Sequence, residues 1–456
     1  MKGKSRKKCK WLMALVVIGA LGVWIQSRWH AWFHNPEEEA REAFAIPNHV
    51  LLTFGDGDEL SRNVSWQCDS IIRPSCLELV SLRDSDTIRV ETVGELFRSR
   101  TGQRAYYVAR LRGLQPQTDY TYRAITDNSG SPWYHFKTYA QGRDACSFMY
   151  VGDIQDTIGG ESNRFLKEAL SRHSKIEFVM CGGDLIDRPT NQDWEETFRD
   201  IDSVAQAMPF MNVTGNHDYL KGVIVELERR FSLVFSYYLD SMVGENQVYT
   251  FRYGPAQFFL LDSNREFPYL YTQRQWLEAQ LEQSKSKWKI VVLHHPLYSI
   301  KGYNNIIQRW MFNDLIENYG VDLVMQGHEH AYARMTRHTD DGRATTPVYT
   351  VSHCSPKNYR IEFDDRFDKF GISSRYYQIV SFSADTMTVA AYEVYGHTLY
   401  DSLQIVKNGD ALSIEDCGKS IPEYMEYEPD PNSKKDHAFA ERIADYKRRH
   451  PERMRK

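Results

Sequence analysis

Between residues 45 and 140 apolar and polar positions alternate in short runs broken by Gly, Pro, Asp and Asn, the period-two signature of strands with one buried face. The alternation predicts seven strands, at 49–54, 63–67, 76–82, 87–92, 105–111, 120–126 and 133–138, which read together as a β-sandwich. Beyond residue 145 the pattern changes. Continuous apolar runs at 147–151, 176–181, 210–213, 290–293 and 321–325 predict buried strands. Between them, 161–173, 192–207, 272–284 and 304–319 carry apolar residues at helical spacing, as Trp194, Phe198, Ile201 and Val204 do. Strands alternating with helices predict a layered α/β domain over 145–406, ending in a hairpin of 376–382 and 387–395. From 407 to 456 the chain is polar, and its last helical stretch carries Phe439, Ile443 and Tyr446. This tail is expected to be a packed or partly disordered appendage.

Composition narrows the class. The 56 Lys and Arg against 61 Asp and Glu leave a charge of −5, and 26% charged with 42% hydrophobic residues excludes collagen-like, low-complexity and disordered chains. A mildly acidic chain offers no broad cationic surface to a phosphate backbone, so no nucleic-acid partner is expected. The 456 residues suit two domains with extra segments. One such segment is residues 1–28. Lys2, Lys4, Arg6, Lys7, Lys8 and Lys10 precede an uncharged run over 11–27, which as a helix spans roughly 26 Å. We read it as an uncleaved anchor, with a cleaved signal segment as the competing reading; the anchor joins the protein to a membrane, and either one leaves the rest outside the cytoplasm, in a periplasmic, extracellular or lumenal space. Among seven cysteines none has CxxC spacing, which removes zinc-finger and thioredoxin readings. Export permits a bridge between Cys68 and Cys76, although an odd, scattered set argues against a disulfide scaffold.

The chemistry lies at the ends of the five buried runs, each of which leads into a polar cluster. These are Gly152-Asp153-Ile154-Gln155-Asp156, Gly182-Gly183-Asp184-Leu185-Ile186-Asp187, Gly215-Asn216-His217-Asp218, His294-His295-Pro296 and Gly327-His328-Glu329-His330. Loops at the carboxyl ends of strands in an α/β sheet converge on one crevice, so the five clusters are expected to meet. Two carboxylates, one amide oxygen and three imidazoles suffice for two metal ions that share a carboxylate. Such a pair activates water and offsets phosphoryl charge, which makes phosphate-ester hydrolysis the natural reaction. A lone Asp or His at a strand end is usually a cap or a satisfied polar residue; the repetition in order carries the metal reading.

At these clusters, and at Val291-Val292-Leu293-His294-His295-Pro296-Leu297-Tyr298 and Gly327-His328-Glu329-His330-Ala331-Tyr332-Ala333-Arg334, the chain resembles the calcineurin-like metallophosphoesterases, most closely the purple acid phosphatases. Leu114-Gln115-Pro116-Gln117-Thr118-Asp119-Tyr120-Thr121-Tyr122-Arg123 resembles the strand entry of a fibronectin type III-like domain, which such phosphatases carry ahead of the catalytic domain. The resemblance implies an all-β sandwich over 45–140 and a four-layer α/β/β/α domain over 145–406. It implies that Asp153, Asp184 and His330 hold one metal, and that Asp184 bridges to a second held by Asn216, His294 and His328. It makes His217 the proton donor to the leaving group and His295 a substrate contact. Two positions depart from the relatives: Asp187 stands where a purple acid phosphatase has a metal-bound tyrosine, and Gln155 where the wider superfamily has a histidine. Gln155 through its carbonyl, Asp187 or a water is therefore the candidate for the remaining ligand. The ions, iron, zinc or manganese, and the small phosphate-ester substrate, monoester or diester, stay open.

Overall fold

The computed structural model describes residues 13, 18–19, 22–30, 32–56, 58–84, 86–156, 158–161, 164–237, 243, 247–302 and 305–454. Strands Asn48–Phe54, Arg62–Gln67, Gln103–Leu111 and Glu95–Arg98 form one antiparallel sheet in that order. Thr87–Thr92, Ser75–Ser81 and Asp119–Thr126 form the facing sheet, where Ser129–Gly130 and Tyr134–Lys137 also pair with Asp119–Thr126. The period-two pattern does the work expected of it: in Asp119–Thr126 every second side chain, Tyr120, Tyr122 and Ala124 among them, is buried. The Tyr120 hydroxyl accepts from the Gln115 amide at 2.8 Å and so fixes the corner that leads into that strand. Across the sandwich, the Trp66 indole N–H donates to Thr126 Oγ1 at 3.1 Å. Cys68 and Cys76 are separate, buried thiols, and the bridge permitted by the sequence is not formed. The short strand Glu95–Arg98 went unpredicted because only Phe97 of its four residues is buried.

The second domain is built on two seven-stranded sheets. In the first, Phe210–Asn212, Phe178–Cys181 and Cys146–Val151 run parallel, followed by antiparallel Tyr376–Ser383, Thr386–Glu393, Leu399–Asn408 and Ala411–Glu415. In the second, Ala256–Leu261, Trp288–Leu293, Leu323–Gln326 and Ala344–Val351 are parallel, flanked by Tyr249–Tyr253 and by Tyr332–His338 with Lys369–Gly371. Alternate residues of the second sheet serve two cores. Phe258, Leu260, Ile290 and Val292 face the first sheet, where Phe258 lies 5.2 Å from Phe148 and 5.6 Å from Phe178. Phe259, Leu261, Val291 and Leu293 face helices Phe267–Gln283 and Ile306–Asn318. With Phe165–Arg172 packed outside the first sheet, the layers are α/β/β/α.

Several predicted boundaries move. Helix Asn191–Asp200 stops well short of residue 207, and the chain continues in turns. Helix Phe267–Gln283 starts five residues before the prediction, with Pro268 in its first turn where no amide is needed. A boundary at 406 falls inside strand Leu399–Asn408, and Ala411–Glu415 extends the first sheet beyond it. The tail is also integral rather than appended. In helix Lys434–Arg449, Phe439 (1% exposed), Ile443 (5%) and Tyr446 (0%) close the second core. Asn304, the first residue of the predicted helix 304–319, lies outside the described residues, as do eight of the seventeen residues of the apolar run 11–27. Residues 22–30 are helical, and among the described residues no helix is long and apolar enough to cross a membrane.

Residues 34–44, which the sequence left without an assignment, are an irregular strap laid across the junction of the two domains. The buried carboxylate of Glu38, 1% exposed at its side chain, accepts from Arg230 (3.1 Å), the Asn191 amide (3.0 Å) and the Arg100 amide (2.8 Å). Arg104 of the sandwich donates to Asn191 Oδ1 (3.0 Å) and to the Arg41 carbonyl (3.1 Å). Asn35 and Lys221 exchange two hydrogen bonds, Nδ2 to the Lys221 carbonyl at 3.0 Å and the Lys221 amide to Oδ1 at 2.8 Å. Burial alone would raise the Glu38 pKa; Arg230 overrides it and holds the carboxyl below its ordinary value.

Candidate metal centre

Five parallel strands deliver the five clusters to one place. Asp153 follows Cys146–Val151, Asp184 follows Phe178–Cys181 and Asn216 follows Phe210–Asn212; from the other sheet, His294 follows Trp288–Leu293 and His328 follows Leu323–Gln326. The turns are tight enough that Asp153 (φ 44°), Asp184 (φ 51°) and His328 (φ 68°) adopt left-handed backbone that side chains ordinarily avoid. Two glycines admit the carboxylates. A Cβ on Gly215 would lie 1.9 Å from Asp184 Oδ1, and one on Gly327 would lie 2.3 Å from Asp153 Oδ2.

The side chains form two groups that meet at Asp184. In one, His330 Nε2 is 3.3 Å from Asp153 Oδ1, and Gln155 Nε2 is 3.5 Å from both His330 Nε2 and Asp184 Oδ2. In the other, Asn216 Oδ1 is 2.8 Å from His328 Nδ1 and 3.2 Å from His294 Nε2, which lies 3.1 Å from Asp184 Oδ2. Backbone contacts aim these groups. His294 Nδ1 faces the Gly182 carbonyl at 2.9 Å and His330 Nδ1 faces that of Lys357 at 2.7 Å, which assigns the proton there and turns Nε2 toward the carboxylates. The His328 amide donates to Asp153 Oδ2 at 2.6 Å and the His217 amide to Asp184 Oδ1 at 2.9 Å.

The donor set fits cations. Asp153 Oδ1 and Gln155 Oε1 are buried without a hydrogen-bond donor. Asp184, His294 and His328 offer ligand atoms that all lie within 4.8 Å of one another. Electrostatics agree: burial alone would lower the His294 pKa, yet Asp184 and Asp153 push it up to about 9, and a field that draws a proton so firmly draws a metal ion. Burial would raise the Asp184 carboxyl, and the His294 and His217 rings hold it well below the usual range. His328 is driven far down by burial and by its neighbours His295 and His294.

The other predicted residues separate. Gln155 reaches both Asp184 and His330, whereas the Asp187 carboxylate faces away from that group, toward Arg188 (3.2 Å) and His217 Nδ1 (3.9 Å). The Asp187 carbonyl accepts from His217 Nδ1, which leaves Nε2 pointing inward, 3.8 Å from Asp184 Oδ2. Burial opposes protonation of His217, but Asp184 and that carbonyl raise its pKa above the ordinary value. His295 is tied to Ser263 Oγ by its ring at 2.9 Å and by its amide at 3.0 Å, with its pKa lowered to about 3 by burial and by His294. Sequence reasoning missed His353, a buried imidazole stacked 5.4 Å from His330, and Tyr359, whose ring also stacks on His330, at 4.2 Å. The run ending at Val351, just before His353, is the signal that would have found the former.

Comparison with known proteins bears on both domains. Residues 147–332 match the calcineurin-like phosphoesterase family and residues 47–138 the purple acid phosphatase N-terminal domain. Purple acid phosphatase 22 of Arabidopsis thaliana is 28% identical over 242 residues, 50% of this chain and 53% of its own. Acid phosphatase type 7 of Homo sapiens is 27% identical over 332 residues, 64% of this chain and 71% of its own. The chain spans about half the length of the first curated relatives that it matches, 50% and 53%. The solved structure of PhoD superposes with a TM-score of 0.60 at 14% identity, over 91% of this chain and 100% of that one, a likeness of fold.

Proposed function

From a chain that is a calcineurin-like phosphoesterase over 147–332 and carries a purple acid phosphatase N-terminal domain ahead of it, we propose a hydrolase of phosphate esters that works with two metal ions. The observation that carries the reading is Asp184 Oδ2, which lies at the junction of the Asp153, Gln155, His330 group and the Asn216, His294, His328 group. We assign Asp153, Gln155 and His330 to one ion, Asn216, His294 and His328 to the other, and Asp184 to both; these nitrogen and oxygen donors suit iron, zinc or manganese. When bound, the pair supplies an activated water and offsets the charge of the phosphoryl group.

The chain's own residues supply the rest. His217, oriented by the Asp187 carbonyl, presents Nε2 to the leaving-group oxygen as the proton donor, a role that the upward push of Asp184 on its pKa favours. His295, kept neutral and held by Ser263, lines the substrate side beside His328, 4.2 Å away between ring centres. We infer a location outside the cytoplasm from the basic residues ahead of the apolar run 11–27, with a membrane as the proposed partner of that segment. The test is metal analysis with turnover on mono- and diesters. Asp184→Ala should lose both ions and turnover together, and a variant that kept two ions per chain and near-normal turnover would overturn the bridging assignment.

A further inference from the structure

Beside the metal centre lies a cavity of about 400 Å³ that Asn216 and His217 share with the strap. Its far wall is made by His30, His34, Arg188 and Lys221. Of these, Arg188 and Lys221 belong to the phosphoesterase match, while His30 and His34 lie in a segment that precedes both matched domains. It is held in place: Asn35 is bonded twice to the Lys221 backbone, and three residues on, Glu38 is locked into the domain junction. The imidazoles of His30 and His34 stack at 4.2 Å, one helical turn apart. Arg188 is balanced by Asp187 (3.2 Å) and Asp193 (3.7 Å), while the exposed Lys221 ammonium has no carboxylate within 4.0 Å among the described residues.

The position of the cavity decides its role. A phosphoryl group at the metal centre directs its leaving oxygen toward His217, and the remainder of the alcohol enters the space behind that residue. We propose that this cavity is the leaving-group subsite, and that it favours esters whose leaving group carries its own anion, a carboxylate or second phosphate, met by Lys221, His34 and His30. The inference rests on the hydrolytic reading above and adds a substrate class to it. A volume of this size accommodates a three-carbon acid or a further phosphate, and the Lys221 cation on its concave wall raises the local concentration of anions, with His34 and His30 as ring partners for them.

The experiment compares esters matched in size, glycerol 1-phosphate with 3-phosphoglycerate, and adds pyrophosphate, on the full metal-loaded chain. The wild type should prefer the two anionic substrates. In Lys221→Glu and His34→Glu the ratio of kcat/KM for 3-phosphoglycerate over glycerol 1-phosphate should fall about tenfold, the change residing in KM. Because both positions are exposed, folding is not at stake. Equal losses on both esters, or a wild type that prefers glycerol 1-phosphate, would overturn the subsite. Calorimetric binding of 3-phosphoglycerate to the same proteins reads the cavity apart from turnover: binding weakened by Lys221→Glu supports it even if no ester were hydrolysed, an outcome that would sink the hydrolytic reading alone, and binding indifferent to Lys221 rejects it.

Discussion

His217 and Asp184 lie 3.8 Å apart yet are asked for different things. In the proposed mechanism Asp184 is the shared ligand and His217 the proton donor, the latter turned by the Asp187 carbonyl so that one nitrogen is spoken for and the other faces Asp184. His217→Ala should therefore retain metal while lowering turnover by roughly 10²–10⁴, with a smaller loss on p-nitrophenyl phosphate, whose leaving group needs no proton. Metal content and turnover on both substrate types check this, and loss of metal would move His217 among the ligands. The residues of the five clusters were legible because each follows an apolar run, so that chain order alone brought them together. The choice between Gln155 and Asp187 was not legible: both sit in the right loops, and only the turn of the backbone after Asp184 sends Asp187 toward His217 and Arg188. His353 was missed because its strand, Ala344–Val351, opens with polar Thr345 and Thr346 and contains Pro347, which break the pattern of a buried run.

At the scale of elements, the tail and the strap are the two pieces that composition concealed. Helix Lys434–Arg449 reads as charged because most of its face is solvated, but three side chains spaced by four and three residues bury one stripe. The segment before it buries Glu423, whose carboxylate accepts from the Phe370 amide at 3.0 Å and whose pKa burial pushes up to about 7. A carboxyl with a raised native pKa binds its proton more tightly folded than unfolded. Its stabilising effect is complete below about pH 4.5 and is lost as pH rises through 7, by about 3 kcal/mol at most. Melting curves between pH 5 and 8 should show this decline, and Glu423→Gln should flatten it; an unchanged slope in that variant would place the titration elsewhere. Cutting the chain at 406 removes the Ala411–Glu415 strand along with Phe439, Ile443 and Tyr446, and should give an insoluble or partly unfolded product, read by recovery after expression and by circular dichroism. The sandwich strands were the most legible elements, since alternation with one wet face leaves little ambiguity. Helix ends were the least, because caps such as Thr190, which accepts from the Asp193 amide, depend on local geometry that spacing does not reveal.

Over the whole molecule, the two-layer β domain and the four-layer α/β domain are not beads on a string. One apolar core runs from Leu51, Phe54, Phe97 and Tyr106 of the sandwich into Phe178, Phe251 and Tyr253, and Tyr122 reaches across to the Gln206 carbonyl at 2.9 Å. The division into two architectures was legible from the change of period near residue 145; that they share a core was not, since exposed and interfacial apolar residues look alike in a sequence. The strap at this junction also has a consequence in time. Residues 34–44 are synthesised ahead of both domains, and their partners arrive much later: Arg104 lies 63 residues beyond Arg41, Asn191 lies 153 beyond Glu38, and Arg230 lies 192 beyond it. A segment with so few local contacts of its own cannot settle until both domains exist and have met, so a part synthesised before the two domains is seated after them. In refolding followed by pulsed hydrogen exchange, the Glu39 amide, bonded to Gln192 at 3.1 Å, should gain protection after the amides of Cys146–Val151 and Asp119–Thr126. Early protection at Glu39 would reverse that order. Until the strap is seated, the cleft beside Asn216 and His217 lacks a wall, and a newly made chain with every ligand in place is still an immature enzyme.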